Sequence, residues 1–466
     1  MRRPHIHFTA PRGWINDPNG CIYLDGYYHL FYQHNPKDIS WGPMHWGHAR
    51  SRDLIHWEHE PVALEPTEDE WIFSGSCFLD RENVSGLGED GKPALLAFYT
   101  AHHPSDGREE QCLAYSLDYV HFTRYEKNPI LVKEASASKD FRDPKILLGP
   151  AHGYNMVLSA GRHIEIYQSD DLLNWKKSGE FDPSEYGFAG ICECPDLFPL
   201  IDGDKLRYVL TMSMILDEER VSGDYDISWK EYRVNRVMQY FVGQFDGENF
   251  HDTQVLSEPS ILDYGTDDYA MISFYREQEV PKTQFMIGWA EHWETVNDRP
   301  TVSGVCKGKM TLGRQVSLVR TDSGTRLAMK PYLPGEYRLP HEMTGNDSYA
   351  FNPMKPVIAH MQIERKGTVR LCNGLDEEVL IVVDTHEIEV DCRYASSVQF
   401  GLIHENTNRD VHRASRHTTG ACELLLIYDE GVLEIYAESG VTVFTVNVYP
   451  NVPYTQLVVL EQSEEF

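Results

Sequence analysis

The heptapeptide Ser51-Arg52-Asp53-Leu54-Ile55-His56-Trp57 recurs along the first two thirds of this chain. It returns as SLDYVHF at residues 116–122, as SDDLLNW at 169–175 and, more loosely, as DGENF at 246–250. The closing aromatic residues are 65, 53 and 75 residues apart. A Ser/Asp turn that leads into an aromatic residue fits the outer hairpin of a propeller blade, where the aromatic residue packs between blades. The repeat therefore predicts a β-propeller.

Strand-like sequence surrounds these repeats, and the chain is long enough for two domains. Apolar runs such as 27–32 and 94–99 precede the repeats, and helical periodicity is almost absent there. At this repeat length about five blades fit into residues 1–335. Because 466 residues exceed the size at which one hydrophobic core keeps growing, a second domain is expected.

The composition changes near residues 331–335, where two prolines and a glycine occur together. Regular short runs with strand character follow, at residues 368–371, 379–383, 398–402 and 432–436. Such runs, separated by polar turns, are typical of an antiparallel sandwich. We therefore predict an all-β chain with a five-bladed β-propeller over residues 1–335 and a C-terminal antiparallel β-sandwich over residues 336–466.

Charge and cysteine usage limit the classes of partner. The 42 basic and 72 acidic residues give a net charge of −30, which repels phosphate backbones and anionic membranes. We expect no nucleic-acid or membrane partner, and no segment is long and apolar enough to span a bilayer. The N-terminal residues lack the apolar run of a signal peptide. Nine cysteines are an odd number with no framework or zinc spacing, so we expect free thiols, no metal, no cofactor and a cytoplasmic location.

Three acidic motifs indicate glycosidase chemistry. WINDPNG, at residues 14–20, holds Asp17 at a rigid chain reversal, because its proline fixes φ and Asn-Gly favours a tight turn. FRDP repeats the Asp-Pro pair and places a guanidinium beside Asp143. ECPD places Glu193 among two cysteines and a proline. Carboxyl groups whose environments differ in this way form a set that suits glycoside hydrolysis.

With these motifs, in this order and at about this spacing, the chain resembles the β-fructofuranosidase family, glycoside hydrolase family 32, which includes invertases, inulinases and levanases. Other matching segments extend over nearly the whole chain: MHWGHA at 44–49, FSGS at 73–76, LDYG at 262–265, DYA at 268–270 and GKMTL at 308–312. The resemblance implies a catalytic propeller followed by a β-sandwich. Cys192 and Cys306 stand where relatives usually have tryptophan, and Gly313 replaces a proline. Both cysteines are expected to alter the pocket wall.

The resemblance also implies roles for the three carboxylates. Asp17 is the implied nucleophile and Glu193 the acid/base of a retaining double displacement at a terminal β-fructofuranosyl unit. Asp143 is the implied stabiliser of the transition state, and Arg142 is expected to keep that carboxylate ionised. The pocket lining is expected to offer amides for hydroxyl recognition and aromatic faces for stacking. The predicted substrate-binding residues are Asn16, Gln33, Trp41, Phe73, Ser74 and Arg142.

Several other conspicuous residues are interpreted as structural. Trp46 and His48 are interpreted as packing residues. The His102-His103 pair is interpreted as polar loop residues. Asp429 and Glu434 match a family pattern but are interpreted as structural.

A polar stretch from residue 216 to residue 236 is long for a hairpin connection, and long loops in compact domains are often functional. We expect it to overhang the mouth of the funnel, where Tyr225, Trp229 and Tyr232 would contact the leaving-group sugar. A crowded mouth favours exo-action on sucrose or short fructooligosaccharides over long polymers. A fructose-containing oligosaccharide is thus the expected partner, and the oligomeric state stays open.

Three alternatives to hydrolysis of fructosides share some of these sequence features. A fructosyltransferase would use the same intermediate and pass it to a sugar acceptor. A sugar-binding propeller without catalysis is disfavoured by three intact acids, and an inverting five-bladed glycosidase for arabinan or xylan by WINDPNG followed by FSGS. The motifs leave the substrate open among sucrose, sucrose 6-phosphate, fructooligosaccharide, inulin and levan.

Overall fold

The chain is built from β-strands. The computed structural model describes residues 1–133, 138–186, 189–216, 236–253, 259–277, 281–396 and 410–461. In these ranges the regular elements are strands and three short 3-10 turns, with no α-helix and hence no helix that could cross a bilayer. The all-β class is therefore confirmed. The predicted strand at 398–402 and the residues Tyr225, Trp229 and Tyr232 lie outside the described residues.

Up to Pro331 the chain forms five sheets of mostly consecutive antiparallel strands. The first contains β1 (Gly13–Leu24), β2 (Tyr27–Asn35), β3 (His45–Ser51) and β4 (Trp57–Leu64). The second contains β5 (Trp71–Asp80), β6 (Ala94–His103), β7 (Arg108–Ser116), β8 (Thr123–Arg124) and β9 (Leu131–Val132). The third contains β10 (Arg142–Leu148), β11 (Tyr154–Ala160), β12 (His163–Ser169) and β13 (Lys176–Phe181).

The fourth and fifth sheets follow the same plan. The fourth contains β14 (Gly190–Asp202), β15 (Lys205–Leu216), β16 (Arg236–Phe245) and β17 (Phe250–Asp252). The chain then forms β18 (Tyr269–Ser273), β19 (Tyr275–Arg276), β20 (Gln284–Trp289), β21 (Cys306–Lys307), β22 (Arg314–Thr321) and β23 (Gly324–Pro331). Strands β18, β20, β22 and β23 make the fifth sheet, while β19 and β21 pair in parallel with β1.

The first strand of each sheet lies deepest in the molecule. Strands β1, β5 and β10 are buried along most of their length, whereas the last strands β4 and β13 are largely exposed or half-buried. The five first strands also contact one another in cyclic order, β1 with β5, β5 with β10, β10 with β14, β14 with β18 and β18 with β1. Side chains near one end of these strands can therefore meet at a common centre.

The repeated heptapeptide forms the turn between the third and fourth strands of a sheet. Asp53 Oδ1 accepts hydrogen bonds from the backbone N–H groups of Ile55, at 3.1 Å, and His56, at 2.8 Å. Such a side-chain bond to the backbone two residues on is the mechanism by which aspartate favours turns. The equivalent carboxylates are Asp118, Asp171 and Asp246.

Three of the four aromatic residues that close the repeats pack against the preceding sheet, as the sequence predicts. Edge-to-face contacts of this kind add to the stabilisation that comes from burial of the rings. The pairs are Phe122 with Phe31 at 5.5 Å between ring centroids, Trp175 with Phe98 at 6.0 Å, and Phe250 with Phe181 at 5.4 Å.

Each first strand carries a β-bulge near its N-terminal end. Between two paired positions the first strand advances three residues while its neighbour advances two, so one extra residue is inserted. The flanking positions are Ile15/Pro18, Ile72/Gly75, Arg142/Lys145, Glu193/Asp196 and Tyr269/Ile272. A bulge redirects the side chains at the insertion and is frequent beside active sites. All three predicted carboxylates lie at these bulges.

Residues beyond Pro340 form two further sheets. The next strands in chain order are β24 (His341–Met343), β25 (Ser348–Ala350), β26 (Val357–Ile363), β27 (Gly367–Cys372), β28 (Glu378–Val383) and β29 (Glu387–Asp391). The last are β30 (Val411–Ser415), β31 (Cys422–Asp429), β32 (Val432–Ala437), β33 (Thr442–Asn447) and β34 (Gln456–Glu461).

The strand orders of these two C-terminal sheets are β24-β26-β31-β32-β33 and β25-β34-β27-β28-β29-β30. Inward-facing residues of both sheets share one hydrophobic core. This is the packing expected of a sandwich. The boundary between residues 335 and 336 stays a prediction.

A buried ionic network joins the N-terminal segment to the C-terminal sheets. His7 Nδ1 lies 2.9 Å from Asp429 and its Nε2 lies 3.2 Å from Glu434. Glu434 also faces Arg314, which pairs with Asp263 at 2.9 Å. Burial lowers the pKa of His7, but the two carboxylates outweigh it and raise this pKa to about 9. The interpretation of Asp429 and Glu434 as structural fits this position.

Candidate active site

Asp17 lies at the bulge of β1, with both carboxylate oxygens hydrogen-bonded. Asn16 Nδ2 donates to Oδ1 at 3.0 Å, and the Ser74 hydroxyl donates to Oδ2 at 2.7 Å. The Cys194 thiol lies 3.6 Å from the same Oδ2. Burial raises the pKa of Asp17, while the bonds from Asn16 and Ser74 lower it by favouring the ionised form.

Asp143 lies at the bulge of β10, in the left-handed region of backbone space with a φ of 66°. Its N–H donates to Thr100 Oγ1 at 3.0 Å, and its Oδ2 accepts the backbone N–H of Cys194 at 2.8 Å. Cys194 is therefore joined to both aspartates, since its thiol faces Asp17. Residues other than glycine uncommonly adopt positive φ, although aspartate does so more readily than most, and here the bulge in the paired strand holds this conformation.

Glu193 lies at the bulge of β14, beside three donors from three different strands. Arg142 Nη2 donates to Oε1 at 3.1 Å. The phenol of Tyr269 donates to Oε2 at 2.6 Å, and Arg236 Nη1 donates to the same oxygen at 3.3 Å. The Glu193 side chain is 18% exposed, so it remains accessible at the centre of the site.

Arg142 alone does not keep Asp143 ionised, contrary to the expectation from the sequence. The hydrogen bonds of the guanidinium go to Glu193, Glu109 and Asp140. Burial raises the pKa of Asp143 to about 7, and although the charge of Arg142 acts in the opposite direction, it does not overcome burial and the nearby carboxylates. The sequence placed this arginine beside Asp143 but could not reveal its other partners.

A group of aromatic side chains, here called the aromatic wall, extends from β5 to the surface. Trp41 is 42% exposed and meets Phe73 edge-on, with ring centroids 6.1 Å apart, and Trp71 at 5.2 Å. Phe73 stacks on His102 at 4.3 Å with an interplanar angle of 5°. Phe73 precedes Ser74, the hydrogen-bond donor to Asp17, so the wall adjoins in sequence a partner of the candidate nucleophile. The expectation that His102 and His103 are polar loop residues is thus wrong: both lie in β6, and His102 supports this wall.

The two predicted amide residues have different partners. Asn16 accepts from Trp14 Nε1 at 2.8 Å and donates to Asp17. The amide nitrogen of Gln33 donates to the backbone carbonyl of Ile72 at 2.9 Å, at the bulge of β5. We infer that Asn16 orients the carboxylate and Gln33 supports the bulge.

Several residues of the site were missed by the sequence analysis. Tyr269 lay within the matching DYA segment, but no role followed from it. Arg236 and Glu109 stood in no motif, and only the folded chain brings them to Glu193 and Arg142. The thiols of Cys192 and Cys306 are both fully buried in hydrophobic cores. Within the described ranges, no three side chains are grouped as a metal site would require.

Residues 7–331 match the glycosyl hydrolases family 32 N-terminal domain. The chain belongs to glycosyl hydrolase family 32. The levanase of Bacillus subtilis is 38% identical over 332 residues, which are 71% of this chain and 46% of that protein. This chain therefore spans about half the length of that relative. Family membership identifies the chain as a glycoside hydrolase.

Solved structures of this family extend the similarity over the whole chain. The exo-inulinase from Aspergillus awamori superposes with a TM-score of 0.84 at 26% identity, covering 99% of this chain and 95% of that one. A variant of the fructofuranosidase from Schwanniomyces occidentalis, complexed with fructosylnystose, gives a TM-score of 0.80 at 26% identity, covering 100% and 95%. The family 32 resemblance inferred from the motifs is confirmed.

Proposed function

We propose that this chain is a retaining, exo-acting β-fructofuranosidase that hydrolyses terminal β-D-fructofuranosyl units through a covalent fructosyl-enzyme. The observation that carries the proposal is the convergence of three carboxyl groups from bulges of three sheets. Cys194 connects them, because it follows Glu193 directly, donates its N–H to Asp143 and faces Asp17 with its thiol. A binding protein has no need of three acids gathered around one residue.

Asp17 is the proposed nucleophile. An oxygen of its carboxylate attacks the anomeric carbon of fructose, the bond to the leaving oxygen breaks, and an ester bond to Asp17 forms. Asn16 and Ser74 fix the plane of the carboxylate and favour its ionised form, which is the nucleophilic form. The retaining mechanism needs the two reacting carboxyl groups roughly 5–5.5 Å apart.

Glu193 is the proposed acid/base. It gives its proton to the leaving oxygen in the first step and accepts a proton from the attacking water in the second, so each cycle restores the starting state. Arg142 and Tyr269 hold the two oxygens of the carboxyl group in place. Asp143 is the proposed partner of the fructosyl hydroxyls. Its ionised form, which the charge of Arg142 favours against burial, would stabilise the oxocarbenium-like transition state.

The proposed substrates are sucrose and short fructooligosaccharides. The net charge of −30 suits neutral sugars, and the exposed edge of the Trp41–Phe73 wall offers apolar faces to a second sugar ring. The solved fructofuranosidase complex holds an oligosaccharide of the same class. Transfer to a sugar acceptor remains the alternative product of the same intermediate.

We also infer that the five sheets are the five blades of a propeller and that the two C-terminal sheets are a sandwich. The cyclic contacts of the five first strands support the first inference, and the shared core supports the second. A cytoplasmic location stays a prediction, and the nine free cysteines are compatible with it.

Product analysis tests the proposal directly. The enzyme is incubated with sucrose, sucrose 6-phosphate, a trisaccharide, inulin and levan, at low and high sugar concentration, and products are separated by anion-exchange chromatography. We expect fructose as the first product from the short substrates. In the presence of methanol, retention predicts methyl β-D-fructofuranoside. The α-anomer would overturn the double displacement, and no release of fructose from any of these sugars would overturn the proposed activity.

A further inference from the structure

Glu109 is a buried carboxylate beside the site that the proposed mechanism does not use. It lies on β7, in the second sheet, and is only 4% exposed. Its oxygens accept from Arg142 Nη1, at 3.1 and 3.2 Å, and from the backbone N–H of Phe141 at 2.8 Å. His102 Nδ1 lies 3.5 Å from the same carboxylate. Burial of an acid is costly, so a partner has to offset it.

The two terminal nitrogens of the Arg142 guanidinium bind different carboxylates. Nη1 is bound by Glu109 and, at 2.7 Å, by Asp140, while Nη2 is left to reach Glu193. A guanidinium is planar and rigid, so fixing one of its nitrogens fixes the direction of the other. The position of Glu193 Oε1 therefore depends on the carboxylate of Glu109, which belongs to another sheet.

His102 connects the same carboxylate to the aromatic wall. One side of the imidazole faces Glu109, and its ring face stacks on Phe73. Glu109 thus lies between the residue proposed to protonate the leaving group and the wall against which that leaving group is proposed to pack.

We propose that Glu109 is a positioning residue for the leaving-group half of the reaction, acting through Arg142 on Glu193. The inference rests on the proposed role of Glu193 as the acid. Glu109 touches no reacting atom, but it orients the carboxyl group that transfers the proton. Its importance therefore depends on how much proton transfer the leaving group needs.

Glu109→Gln tests this proposal, because glutamine keeps the shape and removes the charge. We expect kcat/KM for sucrose to fall about tenfold to a hundredfold, the usual consequence of losing a charge-assisted hydrogen bond. For a nitrophenyl β-fructofuranoside, whose leaving group departs without a proton, the loss should stay below about threefold. Glu110→Gln is the matched control, since Glu110 is the next residue on β7, pairs with Arg108 and His103, and should leave both substrates unchanged.

A double-mutant cycle separates positioning from mere stabilisation. In a Glu193→Gln background, Glu109→Gln should lower kcat/KM for sucrose by less than about twofold, because the carboxyl group that Glu109 positions is already absent. Equal losses on both substrates, or an additive loss in that background, would overturn the inference. Should the glutamine variant fail to fold, Glu109→Asp, which keeps the charge but is one methylene shorter, should show the same selectivity for sucrose.

Failure of the proposed function gives a different result. If Glu193→Gln by itself lowers turnover of both substrates equally, Glu193 is not the acid, and the inference about Glu109 fails with it. If Glu193→Gln is selective for sucrose and Glu109→Gln is not, only the role of Glu109 is refuted.

Discussion

The buried ion pairs of His7 should make the stability of this protein fall at alkaline pH. His7 has no exposed side-chain surface, and its ring contacts Asp429 and Glu434. Its pKa is raised from 6.5 to about 9 in the folded chain. A raised pKa means that the folded state binds the proton more tightly, so the stabilisation is fully present below about pH 6.5. It is lost as pH rises through about 9.

The magnitude follows from the same pKa difference. Each pH unit between the two values corresponds to about 1.4 kcal/mol, which gives on the order of 3 kcal/mol for the protonated ring. Replacing His7 with glutamine should remove this contribution, because glutamine carries no charge. The free energy of unfolding of the variant should lie about 3 kcal/mol below wild type at pH 6, and this difference should shrink towards pH 9.5.

Urea unfolding followed by tryptophan fluorescence at both pH values measures this difference. His121→Gln serves as the control, since His121 makes a similar pair with Asp118 but its side chain is 76% exposed. Exposed pairs contribute little, so this variant should match wild type at both pH values. A difference between wild type and His7→Gln that is the same at pH 6 and pH 9.5 would refute the argument from proton binding.

Three further predictions concern the active site. Asp17→Asn should lower turnover by many orders of magnitude with nearly unchanged thermal stability, and activity within tenfold of wild type would contradict the nucleophile assignment. Ser74→Ala removes a hydrogen bond that lowers the pKa of Asp17, so the acidic limb of the kcat/KM profile should move to higher pH; an unmoved limb would contradict this. Finally, kcat/KM per chain end should be much higher on a trisaccharide than on long inulin, and comparable values would rule out the short-substrate proposal.

The sequence predicted those features that depend on local chemistry. Aspartates such as Asp53 bond to the backbone two and three residues further on, so a repeated motif was enough to locate the turns. The acidic motifs likewise identified the carboxylates, because each carboxylate lies at a bulge whose proline is one or two residues away in the sequence. The aromatic contacts between sheets followed from the same repeat.

The partners of those carboxylates depend on tertiary structure, which no local pattern encodes. Tyr269 reaches Glu193 from 76 residues away, and Arg236 from 43. The direction in which the pKa of Asp143 is shifted was mispredicted for this reason. Neighbouring Arg142 was visible in the sequence, but the burial that raises the pKa of Asp143 and the competing acids Glu109 and Asp140 were not.

The bulges connect the fold to the chemistry more closely than the motifs alone suggest. In a regular strand successive side chains alternate between faces, so two neighbouring residues cannot both point to one centre. One inserted residue breaks that alternation, and the positive φ of Cys194, 46°, turns its N–H to Asp143 while its thiol faces Asp17. Because the insertion lies inside a paired strand, the surrounding ladder fixes its geometry. The candidate site is therefore held by strands rather than by loops, which is the rigidity that charge stabilisation in a transition state requires.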